Sequence, residues 1–155
     1  MKFRFYQLLY IAAIAMMVIA LIKPIAKFYE PDGVTALMDN FEYCVDGAAA
    51  GISVVSLAVV LMVAIAVNTF TIFVSLFSNF GLQKRCSVFS ILLLAGYYVI
   101  LLIYSFILIE GAAITMLKAM YLPLLALAAN AVAFVLVRKQ EAKIIARAMG
   151  FRLRD

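Results

Sequence analysis

The stretch AAAGISVVSLAVVLMVAIAVNTFTIFVSLFS, residues 48–78, decides the fold. It runs for 31 residues without one ionisable side chain. As a helix it would extend about 46 Å, against about 30 Å of bilayer hydrocarbon. No soluble domain buries such a run as one element, so it reads as a membrane span. Its first turns, from Ala48 to about Ser53, are expected to stand above the lipid. Working outward, three more charge-free runs of spanning length appear. They are Phe5 to Ile22, closed by Lys23-Pro24, Val88 to Ile109, and about Ala119 to Val137. In lipid each backbone group must be satisfied within its own segment, so these runs form helices.

Composition agrees. Hydrophobic residues make up 68% of the 155 and charged residues 14%, where soluble domains are near half and a quarter. There is no His, and Cys44 and Cys86 are the only cysteines. Imidazole acid–base chemistry, the usual zinc sets and a disulfide framework are thereby excluded.

Basic residues set the orientation. With four spans and both termini cytoplasmic, ten of the thirteen basic residues lie inside. They are Lys2, Arg4, Lys84, Arg85, Arg138, Lys139, Lys143, Arg147, Arg152 and Arg154. Six of the eight acids lie outside: Glu30, Asp32, Asp39, Glu42, Asp46 and Glu110. The apolar run after Lys2 and Arg4 passes the Ala13-Ile14-Ala15 triplet, so it reads as an uncleaved anchor rather than a signal peptide.

The expected architecture is all-α: an integral membrane four-helix bundle forming a single domain over 1–155. Its spans are about 5–22, 48–78, 88–109 and 119–137, followed by a basic cytoplasmic tail helix over 138–155. The external segment Lys23 to Gly47 turns at Pro31-Asp32-Gly33. Val34, Leu37, Met38 and Phe41 then recur at one-sided helical spacing, which predicts a short amphipathic surface helix. Short loops at Asn79–Ser87 and Glu110–Lys118 make spans two, three and four antiparallel neighbours.

No Asp, Glu, Lys, Arg or His lies within a span, whereas ion-coupled carriers need one at depth. The polar residues inside are neutral. Asn68, Thr71 and Ser75 share a face of span two with Ala64 and Ser78. Asn130 sits on a small-residue face of span four with Ala126, Ala129 and Ala133. Asn68 and Asn130 stand at similar depth and are expected to meet if spans two and four are neighbours. Tyr97 and Tyr104 share a face of span three that looks into the bundle. These six residues form either helix-packing contacts or a polar face for a lipid-like ligand. Gly47-Ala-Ala-Ala-Gly51 matches the helix-docking GxxxG pattern. Phe3, Phe5, Tyr6, Phe77, Phe80 and Phe89 are expected as anchors at the inner interface, and Phe28, Tyr29, Tyr43 and Tyr121 at the outer one. The external acids lack the spacing of a calcium loop, so no metal, cofactor or catalytic residue is expected.

In the tail, Lys139, Lys143, Arg147 and Arg154 form one stripe and Ile144, Ile145, Ala148 and Met149 another. Such a helix, with Arg138 and Arg152, suits an anionic inner leaflet; nothing in it resembles a nucleic-acid-reading motif.

Several short motifs together resemble a bacterial family of four-span membrane proteins, domain of unknown function 4293. They are the anchor ending at Pro24, Leu82-Gln83-Lys84-Arg85 before span three, Leu122-Pro123 and Asn130 in span four, and Arg138-Lys139-Gln140-Glu141, Arg147-Ala148 and Arg152-Leu153-Arg154 in the tail. The chain departs from the family's tail at Gln140 and over Ala148–Phe151. The resemblance implies this architecture in a bacterial inner membrane and carries no activity. The expected role is therefore a non-enzymatic accessory or scaffold subunit, packing against other membrane proteins or itself. The alternative is a binder or carrier of a lipid-like molecule.

Overall fold

The computed structural model describes residues 4–29, 33, 35–45, 48–108 and 113–152. Four helices dominate: α1 (Phe5–Ile22), α2 (Val55–Leu76), α3 (Phe80–Leu108) and α4 (Tyr121–Arg152). All four are long and apolar enough to cross a membrane. They pack as a ring in which α1 and α3 each lie against α2 and α4. The short connections from α2 to α3 and from α3 to α4 make those pairs antiparallel neighbours, while the longer α1–α2 connection carries four strands.

The connections hold strands that the spacing did not predict. These are β1 (Ala26–Tyr29), β2 (Thr35–Met38), β3 (Glu42–Val45), β4 (Ala48–Ser53) and β5 (Ala113–Met116), forming one antiparallel sheet in the order β4-β3-β2-β1-β5. The end of α1, the start of α2, the end of α3 and the start of α4 all feed this sheet. The helices therefore alternate in direction, and the start of α1 and the end of α4 lie at the opposite, basic end of the bundle.

The segment expected as a surface helix, up to Phe41, is instead β2 and the start of the β2–β3 connection. Val34 lies outside the described residues. Ala36 and Met38 are buried while Thr35 and Leu37 are exposed, the period of two that marks a strand. Gly33 takes a left-handed conformation (φ 78°) in the β1–β2 connection, as a turn there requires; Pro31 and Asp32 of the expected turn are outside the described residues. Ala48–Ser53 pairs with β3 and is not the first turn of a helix, so the GxxxG match has no helix to act on. Its Gly47 is outside the described residues.

The sheet closes the bundle like a lid. Phe28, Met38 and Tyr43 turn inward and join one core with Met17, Leu57, Leu61, Leu94 and Leu101. Burying a side chain such as Phe28 or Met38 contributes about 2 kcal/mol. Phe28 and Tyr43 meet edge to face, with centroids 5.6 Å apart. They are thus core residues rather than interfacial anchors, and Tyr6 is likewise buried.

At the other end α2 and α3 join through Phe77–Asn79. Ser78 is left-handed (φ 56°), and the Asn79 Oδ1 accepts the Leu82 amide at 3.2 Å, capping α3. So α3 begins at Phe80, eight residues before the expected Val88, with Lys84 and Arg85 in its opening turns. Helix α4 starts with Pro123 in its first turn, where a missing N–H costs nothing. It then runs 32 residues without interruption, about 48 Å. Through Arg152 the tail continues α4 without a break rather than starting a separate helix at Arg138.

Candidate functional site

The polar interior has two levels. Near the sheet, Asn40 of the β2–β3 connection enters the bundle and is fully buried. Its Nδ2 donates to the Ala20 carbonyl at 2.6 Å, and its Oδ1 accepts from the Tyr97 hydroxyl at 2.7 Å. The first bond has a covalent cause. In a helix the amide four residues on would satisfy Ala20, but that residue is Pro24, which has no N–H. Asn40 supplies the missing donor. Nearby, the Tyr98 hydroxyl donates to the Met120 carbonyl at 2.7 Å, and the half-buried Tyr104 bonds Ser56 at 2.8 Å. These contacts tie α3 to the start of α4 and of α2.

Toward the basic end the interior turns polar on all four helices. Gln7 on α1 donates to Ser75 on α2 at 2.8 Å. Tyr10 on α1 bonds Ser87 on α3 across the bundle. Asn130 on α4 donates weakly to Ser90 on α3 at 3.4 Å. Thr71 donates to its own helix at Val67, 2.8 Å. Asn68 and Gln83 are fully buried; among the described residues the Asn68 amide and the Asn130 Oδ1 have no hydrogen-bond partner, while Gln83 lies beside the Tyr10 hydroxyl.

The sequence-derived residues are thus distributed as follows. Asn68, Thr71, Ser75, Tyr97 and Asn130 have at most 3% exposure, so this face looks inward and is closed to lipid. Asn68 and Asn130 share the interior, but α2 and α4 stand diagonally in the ring, and Asn130 reaches α3 instead. Asn40, Gln7, Tyr10 and Ser87 escaped the sequence reading. The signal for Asn40 was Pro24, which leaves one carbonyl of α1 in need of a donor.

The surface of the basic end carries the charge. Lys84 and Glu141 form an ion pair at 2.6 Å, bracing α3 against α4 where it leaves the span. Arg4 donates to the Tyr6 hydroxyl at 2.8 Å and lies over the Phe80 ring, 5.9 Å from its centroid. Arg138, Lys139, Lys143 and Arg147 are exposed along α4. The side chain of Arg152 and all of Arg154 are outside what the structure describes. A groove of about 380 Å³ separates the start of α1 from this extension, lined by Phe5, Leu136, Lys139, Lys143, Ile144 and Arg147.

Four spanning helices in alternating directions, a lid of five strands and a neutral sealed interior define a multi-pass membrane protein. The chain belongs to the family described as Domain of unknown function (DUF4293), which matches residues 6–148. No curated protein matches it.

Proposed function

We propose that this protein is a non-catalytic accessory or scaffold subunit of a bacterial inner membrane, with both termini cytoplasmic, that packs against other membrane proteins or a second copy of itself. The carrying observation is the form of α4. It leaves the span as an unbroken helix braced by Lys84–Glu141, and it exposes Ile144, Ile145 and Met149 (43%, 49% and 62%) beside a basic stripe. A rigid amphipathic helix of this kind suits a protein partner at the membrane surface. The absence of His from the sequence and the neutral interior support a non-catalytic role. The rival reading, a carrier using the Asn68 face, is disfavoured because that face is sealed inside the bundle.

Extraction from native membranes in mild detergent tests this. The wild-type chain is expected in a complex or oligomer of fixed composition, which the pair Ile145→Glu and Met149→Glu disperses without unfolding the bundle. A wild-type population that is strictly monomeric and partner-free contradicts it.

A further inference from the structure

Two grooves run along the outer surface of the bundle, one on each side of α3. Between α3 and α4 lies a trough of about 500 Å³, walled by Val88, Phe89, Leu92 and Phe134 and ending at Lys84, Arg85 and Arg138. Between α2 and α3 lies a second of about 470 Å³, walled by Val63, Val67, Phe70 and Phe89 and also ending at Arg85. The ring of Phe89 is the ridge between them, and Arg85 is the shared mouth. Lys84 at this rim is paired with Glu141, and among the described residues neither Arg85 nor Arg138 forms an ion pair of its own. Along α3, Phe89 and Leu92 lie one and two turns deeper into the span than Arg85; along α4, Phe134 lies one turn deeper than Arg138. Two apolar channels therefore descend into the hydrocarbon from a cationic rim at the bilayer surface.

The geometry points to a bound phospholipid straddling α3, with its anionic headgroup between Arg85 and Arg138 and one acyl chain in each groove. Charge complementarity selects the headgroup, since guanidinium groups pair with phosphate through parallel N–H bonds. The twin grooves sharing one mouth select two chains. This site rests on the membrane-spanning arrangement alone and not on the accessory role, so losing a protein partner leaves it intact.

The sequence has no Trp, so Phe89→Trp creates a single reporter on the ridge. Leu8→Trp, on the exposed face of α1 diagonally opposite, reports the bulk lipid. Both are reconstituted in phosphatidylcholine vesicles containing small fractions of phosphatidylglycerol brominated on its acyl chains, which quenches indole at contact range. The Phe89→Trp reporter is expected to show local enrichment of about tenfold over Leu8→Trp, as two basic groups at the surface allow. Brominated phosphatidylcholine should quench both reporters alike. Arg85→Gln with Arg138→Gln should return the first curve to the second. Brominated single-chain lysophosphatidylglycerol should be enriched less, and inorganic phosphate should not displace the diacyl lipid. Coincident curves for the two reporters, enrichment that survives loss of both arginines, or displacement by inorganic phosphate would each overturn the site. So would a Phe89→Trp reporter shielded from every brominated lipid, the sign of a protein helix seated there.

Discussion

Replacing Asn40 by Leu is expected to destabilise the protein by about 3 kcal/mol, because two buried groups each lose their partner at a cost of about 1–3 kcal/mol. One is the Ala20 carbonyl, left without a donor by Pro24. The other is the Tyr97 hydroxyl, which has no exposure to solvent. Both bonds are short, 2.6 and 2.7 Å, and Asn40 is the point where the β2–β3 connection enters the helices. Tyr97→Phe alone is expected to cost about 1–2 kcal/mol, since it strands one amide oxygen. In the Asn40→Leu background the same change should cost almost nothing, because the hydroxyl has already lost its acceptor. Reversible unfolding in detergent micelles measures all three. Independent, additive costs would mean that the two side chains do not share a bond.

Asn68→Asp is expected to be comparably damaging, at about 3 kcal/mol, the cost of an aspartate at the centre of a membrane helix. Asn68 is fully buried among neutral groups, with no cation of the described residues near enough to bond it. An ionised carboxylate there would be desolvated without compensation. Asn68→Leu, of similar size, removes a group that has no partner among the described residues and should cost far less. The contrast between the two variants is the diagnostic. Equal effects would assign the loss to the amide's own interactions and not to charge. The same chemistry explains why this interior can be polar at all: amides and hydroxyls bond between helices at modest cost, whereas ions cannot be held there unpaired.

The helices were legible because lipid imposes a simple rule on sequence. A charge-free run of spanning length has one stable form, and for α1 the run and the helix coincide at Phe5–Ile22. The sheet was not legible, for physical reasons. Its strands are four to six residues long, too short for alternation to separate from helical spacing. In Thr35–Met38 both Leu37 and Met38 are apolar, although only Met38 faces the core. Ala48–Ser53 is rich in the best helix former, yet it pairs with β3, and tertiary pairing outweighs local preference. The β1–β5 pairing joins Ala26 to Met116, a relation that no local window contains. Within the interior, the inward turn of Asn68, Thr71, Ser75, Tyr97 and Asn130 followed from spacing. Which helix each would meet did not, because that depends on ring order. The unbroken α4 was missed because the change from apolar to basic at Arg138 reads as a boundary, although no Gly or Pro stands there to end the helix.

The most direct test of the arrangement is sidedness in intact cells. In a background with Cys44 and Cys86 changed to Ser, Thr35→Cys reports the sheet and Ile145→Cys the extension of α4; both native side chains are exposed. A membrane-impermeant maleimide is expected to label Thr35→Cys in intact cells and Ile145→Cys only after the membrane is opened. Labelling of both positions from the same side, or of Ile145→Cys in intact cells, would contradict a bundle that crosses four times with its basic end in the cytoplasm.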